Sequence, residues 1–149
     1  MVSSVTVIGV GIDLVDLERV RSLLASKGEK AMTRFFSERE RNYLATRTDA
    51  TGHAAARIAA KEAVYKAMQS LQGARAIGWR EIEVSRDLEG KPAIALHGLA
   101  ARLSHERGGL RIQVSLTHSA TSAGAKGLSF TPSNAASASV CTSATTSDG

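Results

Sequence analysis

Residues 53 to 66, His-Ala-Ala-Ala-Arg-Ile-Ala-Ala-Lys-Glu-Ala-Val-Tyr-Lys, set the carboxylate Glu62 among the cations Arg57, Lys61 and Lys66. A second carboxylate, Asp13, stands at the end of an apolar, β-branched run upstream. Together they suggest a site for a metal ion and a phosphate. Mg²⁺ takes hard oxygen ligands, keeps several waters, and is held by one or two carboxylates completed by substrate phosphates. Asp13 and Glu62 would supply those two carboxylates. Arg57 would meet a phosphate with a bidentate fork, and Lys61 and Lys66 would meet it as point charges. The chemistry predicted is phosphoryl transfer, not redox or acyl transfer.

Two elements must position these groups. Ala54 to Met68 contains no Gly or Pro and is mostly Ala, Lys, Glu, Met and Arg, which predicts a helix. On it Glu62 and Lys66 share a face, as do His53, Arg57, Lys61 and Tyr65, each one turn from the next. A plainer reading makes Glu62 and Lys66 a solvated pair worth about 0.3 kcal/mol, with Arg57 and Lys61 on a wet flank. The run Val5 to Val15 weighs against it, because its β-branched density predicts a buried strand. One face of that strand carries Thr6, Ile8, Val10, Ile12 and Leu14; the other carries Val5, Val7, Gly9, Gly11, Asp13 and Val15. The two glycines leave room beside Asp13, and a carboxylate there is costly unless it is paired, hydrogen-bonded or metal-bound. Capping of the next helix would also explain an aspartate, although Asp16 is better placed for that.

Gly11-Ile12-Asp13, the stretch from Phe35 to Glu40, Ala56 to Ala63 with Lys66, Trp79 to Val84, Gly90-Lys91-Pro92 and Ser115 to Ser119 resemble, in order, the signatures of the holo-(acyl-carrier-protein) synthases. These are the small 4′-phosphopantetheinyl transferases. The likeness spans about residues 5 to 125, and several ordered elements are far more specific than one short motif. It implies an enzyme that uses Mg²⁺ and coenzyme A to move 4′-phosphopantetheine onto a serine of apo acyl carrier protein, releasing adenosine 3′,5′-bisphosphate. Asp13 and Glu62 match the family's metal ligands. Lys66 matches a lysine expected to contact the transferring phosphate or assist proton movement. Arg57, Lys61 and His118 match positions of the coenzyme cleft, although a lone histidine at a strand end is otherwise more often structural. The base that takes the serine proton would be Glu62 or a metal-bound water, and both stay open. The resemblance also implies a homotrimer with the coenzyme cleft between subunits.

Composition agrees with this reading without producing it. The chain has 149 residues, of which 43% are hydrophobic, enough for one core. No run approaches the roughly 18 apolar residues of a membrane span, no basic region precedes the first strand, and a single cysteine, Cys141, excludes an internal disulfide. A cytoplasmic protein that does not bind membranes is expected. The net charge of +5 favours an acidic partner. Nucleic acid is disfavoured, because aromatic residues make up only 4% of the chain and none is interleaved with a basic stripe. The acidic partner that the resemblance implies is the carrier protein. Arg19 and Arg21 on the first helix are candidate docking residues, with Lys27 and a further cluster at Lys30 and Arg34, against the alternative of a solvated face.

The expected architecture is α+β: a small, mainly antiparallel sheet packed against the long Ala-rich helix and shorter helices, a phosphopantetheinyl transferase-like fold. Asp16 to about Lys27 is the first helix. Ser37 to Glu40 forms a capping box opening a helix to about Ala45, a role that accounts for Glu40, with support of the metal site as its alternative. Residues 47 to 52 are a polar connector. Trp79 to Arg86 and Pro92 to Leu96 pair as a hairpin around the turn Asp87 to Lys91. Gly98 to Arg107 is helical, Gly108-Gly109 ends it, and Leu110 to Leu116 is a strand. The domain is expected to span 1 to 125. Residues 126 to 149, dominated by Ser, Thr and Ala, predict a disordered or frame-shifted tail in place of a closing strand. Loss of that strand would favour a second class of function, a non-catalytic relative that binds coenzyme A or an acidic carrier.

Overall fold

A computed structural model describes residues 5–131 and 145–146. Strand β1 (Thr6–Asp16) leads into helices α1 (Leu17–Lys27), α2 (Glu29–Phe35), α3 (Glu38–Ala45) and α4 (Ala50–Ala67). The hairpin β2 (Ile82–Arg86) and β3 (Pro92–Leu96), helix α5 (Gly98–Glu106) and strands β4 (Arg111–His118), β5 (Ser122–Thr131) and β6 (Thr145–Thr146) follow. The main sheet has the order β1-β5-β4-β6, with β5 antiparallel to both of its neighbours. The α+β expectation is borne out.

The alanines and glycines have a packing role that helix propensity alone does not convey. Helix α4 lies against β1 and β5 so closely that a Cβ on Gly9 would sit 1.9 Å from the Ala67 carbonyl oxygen, and one on Gly11 would sit 1.9 Å from that of Ala63. Ala59, Ala60, Ala63 and Ala67 are fully buried at this contact. Any larger side chain on either surface would force helix and sheet apart, because interiors are packed at crystal density.

Several expectations are corrected. Helix α4 starts at Ala50, where the Asp49 side chain accepts from Gly52 N at 3.0 Å, so the connector is shorter than 47 to 52. Residues Trp79–Glu81 form a 3-10 turn, and the hairpin strand begins at Ile82. Strand β1 is buried on one face only: Val10, Ile12 and Leu14 are 52%, 66% and 73% exposed. A register shift between Val7 and Gly9 turns Ile8 away from that face onto the core of Val64, Met68 and Leu103.

The boundary at residue 125 falls inside β5. Lys126 to Thr131 continue the strand, with Lys126 paired to Ile12 and Ser115, and Gly127 paired to Gly11 and Val114. Ser129 is fully buried, and its hydroxyl donates to the Ala67 carbonyl at 2.9 Å. A closing strand is therefore present and central. The expectation for the rest of the tail lies outside the described residues, apart from Thr145 and Thr146, which pair with Thr117 and His118.

Candidate active site

The close approach of α4 to β1 sets Asp13 beside the last turns of the helix. Lys66 Nζ donates to Asp13 Oδ1 at 2.8 Å and to the Ile12 carbonyl at 3.1 Å. The pair between Glu62 and Lys66 that spacing alone suggests gives way to this cross-element bridge. Asp16, not Asp13, caps α1, accepting from Arg19 N at 2.9 Å. Asp13 and Glu62 line one cleft of about 760 Å³ with Arg19, Leu23, Phe35 and Trp79. Burial first, and the Asp13 charge second, hold the Glu62 carboxyl above its usual range, while Lys66 pulls the other way. The hydrogen bond that Lys66 donates to Asp13 holds its ammonium above its ordinary value.

Two carboxylates that repel across a shared cleft suit a divalent cation. No group of three or more His, Cys, Asp or Glu side chains that would hold a metal occurs among the described residues. A two-carboxylate site is what an ion needs if it leaves its other positions to water and substrate phosphate.

Lys61, expected at the coenzyme cleft, is an interior cation that lines a pocket with Glu62, Tyr65 and Trp79. Its side chain is 0% exposed, and its ammonium donates to Glu40 Oε2 at 2.8 Å, the Trp79 carbonyl at 2.9 Å and the Ile82 carbonyl at 2.5 Å. An ammonium has three protons, and these three acceptors use them all. Burial pulls the Lys61 pKa down, and Glu40 opposes the fall. Glu40 forms the expected capping box with Ser37, but its carboxylate also accepts from Val84 N at 2.9 Å. It thus ties α3, α4 and β2 together.

Arg57 is buried as well, under Tyr43. Its guanidinium carbon stands 4.0 Å from the Tyr43 ring centroid, that of Arg47 stands 4.3 Å away, and His53 meets the same ring edge-on at 5.6 Å. Burial opposes ionisation of Tyr43, yet Arg86, Arg57 and Arg47 outweigh it and lower its pKa. Burial, then Arg57 and Arg47, lower that of His53. Arg57 donates to the His53 carbonyl at 3.4 Å, while its Nε is buried with no hydrogen-bond partner among the described residues. This concentration of positive charge is suited to an anion. Tyr43 and Arg47 stand four residues apart at the end of α3, but Arg57 and Arg86 reach them only through folding, so the cluster escaped the sequence reading.

The chain does not bring every expected residue to one place. His118, exposed at the end of β4, pairs with Ala123, which pairs in turn with Val15, so two strand spacings separate it from β1. It is not part of the lining that Asp13 and Glu62 share. Arg19 lines that cleft, whereas Arg21 is held by Glu18 on its own helix.

The model of the 4′-phosphopantetheinyl transferase superfamily matches residues 9–119. The chain belongs to this superfamily. Among curated relatives of this transferase, the holo-(acyl-carrier-protein) synthase of Syntrophotalea carbinolica is 40% identical over 111 residues, 74% of this chain and 85% of that protein. The synthase of Desulforudis audaxviator is 36% identical over 127 residues, 85% of this chain and 95% of that protein. The crystal structure of the Neisseria meningitidis synthase superposes with a TM-score of 0.75 at 26% identity, covering 83% of this transferase and 98% of that chain. The Bacillus anthracis synthase in complex with CoA (3′,5′-ADP) superposes with a TM-score of 0.68 at 29% identity, covering 85% and 98%.

Proposed function

We propose that this transferase moves 4′-phosphopantetheine from coenzyme A to a serine hydroxyl of an apo acyl carrier protein. The observation that carries the reading is the shared cleft of Asp13 and Glu62, with Lys66 bonded to Asp13, in a chain of this superfamily. The serine Oγ bonds to the phosphorus that carries pantetheine, and the bond from that phosphorus to the bridging oxygen breaks. Adenosine 3′,5′-bisphosphate leaves with the electron pair, and the serine proton passes to Glu62 or to water.

Such transfers are driven by positioning and charge stabilisation. Asp13 and Glu62 are the residues that would hold Mg²⁺, which when bound would neutralise charge on the phosphate oxygens. Lys66 orients the Asp13 carboxylate and adds positive charge at that end of the cleft. Arg57, Arg47 and Arg86 form a cationic subsite for the coenzyme's phosphates, with the unpartnered Nε of Arg57 in support. Glu40 and Lys61 hold the walls.

The active unit is a homotrimer with the coenzyme cleft between subunits. Support comes from the uncovered apolar row Val10, Ile12 and Leu14 and from the separation of His118 from the carboxylates within one chain. The acidic carrier docks on the Arg19 end of α1. No described helix is long and apolar enough to cross a membrane, and the reaction is assigned to the cytoplasm. The non-catalytic alternative rested on a lost closing strand, and β5 forms.

Release of adenosine 3′,5′-bisphosphate tests the reading. The expected result is one equivalent per apo carrier when carrier, coenzyme A and Mg²⁺ are all present. Equal release without carrier would reassign the protein to coenzyme hydrolysis.

A further inference from the structure

We infer that Tyr43 is a positioning residue for the coenzyme, its uncharged ring gathering Arg57, Arg47 and Arg86 into one phosphate-binding site; the inference rests on the functional reading above. The three arginines come from separate parts of the chain: Arg57 from α4, Arg47 from the segment after α3, and Arg86 from the end of β2. Tyr43, half-buried on α3, meets all of them. The guanidinium carbons of Arg57 and Arg47 stand 4.0 and 4.3 Å from its ring centroid, and Arg86 reaches its hydroxyl. No ion pair joins any of the three to a carboxylate among the described residues. Arg57 is only 5% exposed, and its unpartnered Nε leaves a donor for a ligand.

Three like charges repel one another, so their grouping needs a group that attracts each of them. A carboxylate would do this by neutralising them, and it would then compete with the phosphate. The face of an aromatic ring attracts a guanidinium through its quadrupole and leaves the full charge available to an anion. Ionisation of Tyr43 would cancel that advantage, because a phenolate is itself an anion among the arginines. Burial opposes this ionisation, but Arg86, Arg57 and Arg47 favour it and together prevail. A phosphate seated on the arginines withdraws their support, so the hydroxyl is a weaker acid in the complex than in the free enzyme. Where free Tyr43 is ionised, binding must therefore take up a proton, and affinity falls as pH rises through the pKa of the free enzyme. The other titratable groups facing the cluster are His53 and Asp49 at the start of α4 and Glu40 on α3. Burial, then Arg57 and Arg47, lower the His53 pKa, which keeps its titration on the acid side of this window.

The probe is adenosine 3′,5′-bisphosphate, which keeps the 3′- and 5′-phosphates and lacks the coenzyme's thiol, itself titratable at alkaline pH. Its binding is measured by titration calorimetry between about pH 7 and 10 in buffers of different ionisation enthalpy. KM values for coenzyme A and for apo carrier are measured separately at neutral pH. Tyr43→Leu removes the ring and is expected to raise the coenzyme A KM and the probe Kd about tenfold, with no matching rise in the carrier KM, the scale of losing cation–π contacts at a desolvated site. Tyr43→Phe keeps the ring and is expected to bring both constants back to within about twofold of the wild type. Wild-type probe binding is expected to weaken about fivefold toward the alkaline end with uptake of a proton, and Y43F to show neither effect. An unchanged coenzyme A KM in Y43L, or a pH dependence that persists in Y43F, would overturn the positioning role while wild-type transfer upholds the function. If a thermal melt shows that Y43L does not fold, Y43F decides alone: a flat pH profile supports the role and a wild-type profile overturns it. A wild type that neither binds the probe nor modifies apo carrier would overturn both readings.

Discussion

Lys66 Nζ lies 2.8 Å from Asp13 Oδ1, joining helix α4 to strand β1 across 53 residues of sequence. The lysine is about half exposed, so the bond contributes little to folding, on the order of 1 kcal/mol or less. Its value lies in fixing the carboxylate. Lys66→Met is expected to leave the melting temperature nearly unchanged and to lower kcat about 100-fold, the scale of losing one preorganised charge at a reacting phosphate. Steady-state transfer beside a thermal melt checks both.

Glu62 carries the opposite balance. Its carboxyl is held above the usual carboxylate range by burial and then by Asp13. A carboxyl raised on folding favours the protonated native state, so its charge costs stability above the folded pKa, and that cost fades as pH falls below it. Glu62→Gln is therefore expected to melt at the same or a higher temperature at neutral pH, while transfer falls by about 100-fold or more. Calorimetry on both sides of that pH range, paired with activity, checks the sign.

At the helix-sheet contact the expectation is steric. Gly11→Ala places a Cβ 1.9 Å from the Ala63 carbonyl oxygen, which only a shift of backbone relieves. A loss of about 3 kcal/mol in denaturant unfolding follows from overpacking of this kind. Because the shift separates Asp13 from Lys66, transfer should fall in folded protein as well.

The buried pair Glu40 and Lys61 behaves as a unit. Lys61→Met or Glu40→Gln alone leaves a buried group without its partner and is expected to cost about 3 to 5 kcal/mol. The double replacement should cost less than the sum of the two, and a double-mutant cycle by urea unfolding measures the difference.

How far this molecule is legible in its sequence depends on the range of each contact. Asp13, Glu62 and Lys66 stand out because a charge in a β-branched run and cations on an alanine helix are local anomalies. Asp16 and the Ser37 capping box are read equally well, being contacts three residues long. Glu40 is misjudged for the same reason: the local cap explains it fully, so nothing local points to Lys61, 21 residues away. Arg57 and Lys61 look like a wet flank until α3 and the hairpin cover them. The second half of β5 resembles a disordered tail because Gly127 and Ser129 are small, yet small residues are what the contact with α4 requires. A Cβ on Gly127 would come within 3.1 Å of the Ala63 backbone.

Assembly offers a further expectation. Ile12 is 66% exposed between Val10 and Leu14 on the open face of β1. Ile12→Glu puts a charge into that row, and burying it against another subunit is prohibitive without a partner. Light scattering should read a trimer for the wild type and a folded, inactive monomer for the variant. A wild-type monomer with full activity would contradict the shared cleft.

Intact-protein mass spectrometry of an acidic apo acyl carrier protein, incubated with this transferase, coenzyme A and Mg²⁺, tests the central claim most directly. The account predicts a gain of one phosphopantetheine, about 340 Da by covalent composition, blocked by EDTA and absent with Glu62→Gln. A folded wild type that leaves the carrier mass unchanged, or a gain that survives both EDTA and the substitution, would contradict it.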